Sequence, residues 1–148
     1  MTSTPLAALA TRHGLAEVDS RNIDAFLAAE GEPPHALLFF TGDPLVRPEA
    51  ADVAVALPEL LAVFRGRLRA AVIARGSEDA LKVRFHVAML PSLVLVRGTE
   101  TLGVLARIRT WPDYVARISA WLDPATPAMA RAAGPRVAFT FSGQGSQT

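Results

Sequence analysis

Four carboxylates, Asp43, Glu49, Asp52 and Glu59, fall in or just after a turn that follows the apolar run Ala36–Phe40. Carboxylates at the start of a helix stabilise it by roughly 0.3–1 kcal/mol each, which by itself accounts for Glu49 and Asp52. The same residues, as an acidic surface beside an apolar groove, would suit a cationic segment followed by a hydrophobic one. Both readings stand at this level. His13, His35 and His86 are scattered along the chain, with no i, i+4 pair and no cysteine to complete a metal site, so all three read as structural. Ser142 and Ser146 have no histidine base nearby, and Gly143 and Gly145 are too little for a phosphate loop. No catalytic, cofactor or metal site is expected.

The chain has 148 residues, 51% hydrophobic and 20% charged, which suits one globular domain with its own core. A net charge of +1 supplies no field to attract nucleic acid, and Trp111 and Trp121 belong to no base-stacking array. Cysteine is absent, which rules out disulfides, thiolate metal sites and thiol nucleophiles. The opening MTSTPLAALATRHG has too short an apolar run for a signal peptide and no basic residue before it. No segment approaches the roughly 20 apolar residues needed to span a bilayer. These features predict a cytoplasmic protein without direct membrane insertion.

The elements that must position these residues follow from periodicity. Residues 5–13 suit a short helix stopped by Gly14, and Leu15–Asp19 alternates as a short edge strand. Ser20 could cap a helix over Asn22–Ala29 with Ile23, Phe26 and Leu27 on one face. Ala36–Phe40 reads as a strand buried on both faces. A helix between Glu49 and Phe64 carries Leu57, Leu60, Leu61 and Phe64 as its buried stripe. Pro58 either lies inside that helix or starts its last section. Arg67–Ala74 is a second buried strand, and Ser77 is placed to cap a helix through Phe85, with Glu78 and Asp79 in its first turn. Pro91 belongs at the start of a strand continuing through Val96, whose hairpin partner is Leu102–Ile108. Thr110 caps a last helix with Tyr114, Val115, Ile118 and Leu122 buried, closed by Pro124. The domain is expected over residues 1–124, and 125–148 reads as an Ala/Pro-rich linker and tail. The order β-α-β-α-β, a hairpin and a closing helix predicts an α/β fold with a mixed sheet and helices on both faces.

That pattern resembles a thioredoxin, a three-layer sandwich. The resemblance rests on the strand ending in Phe39-Phe40, on AAVIARGSEDALKVRFHVAMLPSLVLVRG, and on Leu90-Pro91-Ser92. It implies a cis peptide before Pro91 and a loop, Met89, Leu90 and Pro91, that faces the turn after the central strand and pairs with extended peptides. The CxxC motif of that turn is missing; Gly42-Asp43-Pro44 and an insertion up to Glu49 stand in its place. More closely, the chain resembles the HyaE/HupG/HoxO accessory proteins of [NiFe] hydrogenase. This rests on GDPLVRPEAADVAVALPELL, RFHVAMLPSLVLVRGTETLGVL and IRTWPDY, within a match from about Leu6 to Asp123.

The family resemblance implies a non-catalytic chaperone in hydrogenase maturation. Its partner would be the small-subunit precursor, through its twin-arginine signal peptide, with other hydrogenase accessory proteins as further candidates. Asp43, Glu49, Asp52, Glu59, Met89, Leu90 and Pro91 are then the candidate partner-binding residues. The competing readings are a redox-inactive thioredoxin-like domain with another client, and a catalytic module. For the latter, VAFTFSGQGSQ (Val137–Gln147) resembles the opening of malonyl-transferase-type acyltransferases, whose nucleophile motif is absent. Chance, a truncated fusion and a gene-model scar are all open explanations of that tail.

Overall fold

A computed structural model describes residues 8–9, 14–29, 33–43 and 46–129. In chain order these form β1 (Ala16–Val18), α1 (Ile23–Leu27), β2 (His35–Phe40), α2 (Glu49–Val63), β3 (Leu68–Ile73), α3 (Glu78–Arg84), β4 (Ser92–Arg97), β5 (Glu100–Ala106) and α4 (Trp111–Trp121). His13, Pro44 and the acyltransferase-like segment 137–147 lie outside the described residues. So does most of the first expected helix, although Leu9 is helical and buried.

The strands form one sheet in the order β1-β3-β2-β4-β5. β1 and β2 run parallel to β3, whereas β4 runs antiparallel to both β2 and β5. β2 is central and buried from Ala36 through Phe40, as its unbroken apolar run predicts. Its side chains alternate between two cores. Leu37 and Phe39, with Leu93 and Leu95 of β4, face Val53, Leu57, Leu60, Tyr114 and Ile118 from α2 and α4. Ala36, Leu38 and Phe40, with Val94 and Val96, face Ile23, Leu27, Leu81 and Phe85 from α1 and its neighbour α3. The result is the three-layer thioredoxin-like α/β sandwich.

Pro58 lies inside α2. It withholds the amide that would otherwise bond the Ala54 carbonyl, and the buried stripe through Leu57 and Leu60 holds the helix across the gap. Leu61 is only partly buried, beside the fully buried Leu60. Thr110 caps α4 as expected, its Oγ1 accepting from the Asp113 amide at 3.3 Å.

The two serine caps are corrected. Ser77 Oγ accepts from the Ser20 amide at 3.0 Å and lies 3.3 Å from Ser20 Oγ, so the two hydroxyls join β1's end to α3's start instead of capping their own helices. α1 begins after Asn22 with no side-chain cap, and ahead of it Asp19 Oδ1 accepts from the amides of Arg21 and Asn22 at 2.9 and 3.0 Å, closing the turn that leads into the helix. α3 ends with His86 in the left-handed region, φ 64, and the Val87 amide donating back to Lys82 at 2.9 Å.

Residues 125–129, which composition assigns to the linker, return to the domain. Arg97 donates to the Thr126 carbonyl at 3.1 Å, and the Met129 amide donates to Thr101 of the edge strand β5 at 2.7 Å.

Candidate functional site

The site lies where the turn leaving β2 meets the loop entering β4. Phe40 pairs with Ser92 across the β2–β4 ladder, which carries the next residues of both chains to one end of the sheet. Gly42 adopts φ +71, a region costly for residues with a Cβ. A Cβ there would stand 3.1 Å from Leu90 Cβ and 2.9 Å from Arg47 Cδ, so the turn's backbone packs directly on the loop. The Leu90–Pro91 peptide is cis, and Ser92 Oγ donates to the Met89 carbonyl at 2.6 Å.

Beneath this contact lies Glu78, 4% exposed. Its Oε2 accepts from the Gly42 amide at 3.0 Å and lies 3.4 Å from Thr41 Oγ1, while its Oε1 accepts from Arg75 Nε at 3.2 Å. Above it, Arg47 crosses the turn and donates to the Leu90 carbonyl at 3.3 Å. On the far side Arg107, at the end of β5, donates its amide to the Pro91 carbonyl at 2.7 Å and its Nε to Glu49 at 2.6 Å. Pro91 is thereby tied to the first turn of α2.

The seven candidate residues do not form one cluster. Asp43, Glu49, Leu90 and Pro91 belong to the turn–loop contact, and Met89 stands at its rim, 47% exposed. Glu49 is committed to Arg107, so its charge is already balanced. Asp52 and Glu59 are exposed on the outer face of α2, where the spacing aligns them with the exposed Val55 and Val63. The local field at the turn is therefore mixed, with Arg47 and Arg107 interleaved among the carboxylates. Apolar side chains flank it: Val46 is 70% exposed, Ile108 48% and Trp111 42%.

Arg47, Arg107 and Glu78 escaped the sequence reading. Glu78 looks like an ordinary first-turn carboxylate, and only the adjacency of β3 to β2 brings α3's start under the β2 turn. The one local signal was Gly42 itself, two residues after a strand that ends in Phe40.

Away from this end, His35 pairs with Arg97 in the ladder, and its buried Nε2 has no hydrogen-bond partner among the described residues. Burial, and then the charges of Arg97 and Arg67, hold its pKa below the ordinary histidine value. Among the described residues no three His, Asp or Glu side chains converge to hold a metal ion, and no helix is long and apolar enough to cross a membrane.

The fold and this end of it define a thioredoxin-like protein whose turn carries Gly42, Asp43 and Arg47 where a thiol pair would stand. The family model for the hydrogenase-1 expression protein HyaE matches residues 6–114. The chain is 57% identical over 145 residues to the hydrogenase expression/formation protein HupG of Rhizobium leguminosarum bv. viciae, covering 97% of each chain. It is 40% identical over 114 residues to the hydrogenase expression/formation protein HoxO of Azotobacter vinelandii, covering 77% of this chain and 74% of that one. A crystal structure of the HupG protein of Rhodopseudomonas palustris superposes with a TM-score of 0.53 at 48% identity, covering 72% of this chain and 94% of that one. The chain belongs to the HyaE family of hydrogenase expression proteins, with an accessory role in hydrogenase maturation. The match to the Rhizobium protein spans nearly the whole chain and so takes in the FTFSG segment of the tail.

Proposed function

We propose that this chain is a non-catalytic chaperone that binds the hydrogenase small-subunit precursor and its twin-arginine signal peptide in the cytoplasm, before export. The reading is carried by membership of a family whose members are named for hydrogenase expression and formation. The site is compatible with it. The Met89–Pro91 loop faces the turn, an arrangement suited to an extended peptide, with Val46 and Ile108 as apolar flanks. Asp52 and Glu59 on the outer face of α2, and Asp43 at the turn, are the carboxylates for the paired arginines, and Val55 receives the hydrophobic stretch between them. Other hydrogenase accessory proteins are further partners under this reading.

The test is binding of the full chain to a synthetic small-subunit signal peptide and to the whole precursor, at low and moderate salt. A variant carrying Asp43→Asn, Glu49→Gln and Asp52→Asn runs beside it, as does Glu59→Gln. Micromolar binding that weakens with salt and is lost on neutralisation supports the client and the acidic site. Binding that survives neutralisation keeps the client and moves the site to Met89–Pro91. No binding to either form of the client sinks the assignment.

A further inference from the structure

Arg47, Arg75, Arg107 and Arg109 lie on the segments that meet at the turn–loop end of the sheet. Arg75 pairs with Glu78 at 3.2 Å, Arg107 with Glu49, and Arg109 with Asp113 at 3.2 Å. Arg47 differs. Among the described residues its side chain has no carboxylate partner, and the one hydrogen bond that the guanidinium makes there runs from NH1 to the uncharged Leu90 carbonyl at 3.3 Å. The bare backbone of Gly42 makes room for its stem, since a Cβ at that position would press on Arg47 Cδ at 2.9 Å. The guanidinium is thus half-buried and held over the loop, with most of its donors unspent. Around it the exposed Val46, Met89 and Ile108 are the chain neighbours of Arg47, Leu90 and Arg107.

We propose that Arg47 and the Leu90–Pro91 loop form a binding site for an extended peptide segment carrying an aspartate or glutamate among apolar residues. The carboxylate docks on the free edge of the Arg47 guanidinium, whose planar fork matches it in two parallel hydrogen bonds. The flanking apolar side chains cover Val46, Met89 and Ile108. The charge recognised here is negative, opposite to that of a twin-arginine segment, so this contact does not depend on the small-subunit reading, although it uses the same loop and apolar flanks, and the two segments would compete for them.

The experiment uses no hydrogenase component, so it and the precursor-binding assay can fail separately. A random peptide library displayed on phage is selected against the full chain. The enriched peptides are synthesised in two forms, with the acidic residue and with its Asn or Gln counterpart. The acidic form binds the unaltered protein about tenfold more tightly, the scale of one charge-assisted pair. Arg47→Gln, checked for folding by its thermal melt, binds both forms alike, closing a double-mutant cycle. In the unaltered protein the Arg47 Nε–H resonance and the Met89 and Leu90 amides shift with the acidic peptide and not with its counterpart; this readout needs no variant. A selection that enriches no acidic peptide overturns the proposal. So does a charge preference that survives in Arg47→Gln, or the absence of those shifts.

Discussion

The Glu78 carboxylate, on the first residue of α3, accepts the Gly42 amide at 3.0 Å at the end of β2. Thirty-six residues separate the two in sequence. The bond supplies a buried turn amide with an acceptor that its own segment does not offer, and the pairing with Arg75 keeps the carboxylate from being a lone buried charge. The shape of the β2 turn, and with it the position of Arg47 over Leu90, therefore depends on α3.

Glu78→Ala would leave the Gly42 amide buried without an acceptor and Arg75 without its partner. The expected loss is about 1–3 kcal/mol, read from the urea midpoint of unfolding. Glu78→Gln keeps one oxygen for Gly42 and should lose less. Equal losses in the two variants would show that the charge, and not the bond to Gly42, matters.

Gly42→Ala meets two obstacles. The left-handed conformation costs a residue with a Cβ about 1–2 kcal/mol, and the new methyl would press on Leu90 Cβ at 3.1 Å and Arg47 Cδ at 2.9 Å. Denaturation should show at least the backbone cost. Amide spectra should place the largest changes at Arg47, Met89 and Leu90; changes confined to Gly42 and its chain neighbours would contradict the packing.

His35 makes stability depend on pH. Its folded-state pKa lies below the unfolded value of 6.5, through burial first and then the nearby Arg97 and Arg67. Its neutral form is favoured in the fold, so its contribution is fully present above pH 6.5. It is lost as pH falls through 6.5 toward the lower folded value, because the unfolded chain gains the proton first. Thermal melts should therefore drop across that window in the unaltered protein. The difference from His35→Gln should shift in favour of the variant as the pH falls; a difference independent of pH would refute the assignment.

On β5, Gly103 serves packing. A Cβ there would fall 2.3 Å from the ring of Trp121, which lies flush on the strand and joins the core shared by α2 and α4. Gly103→Ala should cost about 1–3 kcal/mol through overpacking, with a change in Trp fluorescence as the ring is displaced. An unchanged emission spectrum with unchanged stability would mean the ring has another place to go.

Much of the architecture was legible along the chain because it rests on short-range periodicity. The unbroken apolar run Ala36–Phe40 could only be a strand covered on both faces, and the spacing of Leu57, Leu60 and Phe64 marked the inner face of α2. Thr110 announced the start of α4, and its hydroxyl accepts from the Asp113 amide there. The thioredoxin resemblance, carried by Phe39-Phe40, the stretch Ala70–Gly98 and the Leu90-Pro91-Ser92 step within it, placed Leu90-Pro91 beside the turn, and the packing of Gly42 on Leu90 bears it out.

What the sequence by itself determined is thus the order of elements, the buried faces, the lack of any thiol and the family. The tertiary structure decided how the polar groups are partnered. Ser20 and Ser77 looked like local caps and bond each other across 57 positions. Glu49 looked like part of an acidic surface and is held by Arg107, 58 positions away. Pro58 stays inside α2 because packing on Leu57 and Leu60 outweighs a missing backbone bond. Periodicity is written within one element, where side chains a few residues apart share a face. Hydrogen bonds and ion pairs between elements depend on which strands become neighbours, and that is settled only when the two cores close on the sheet.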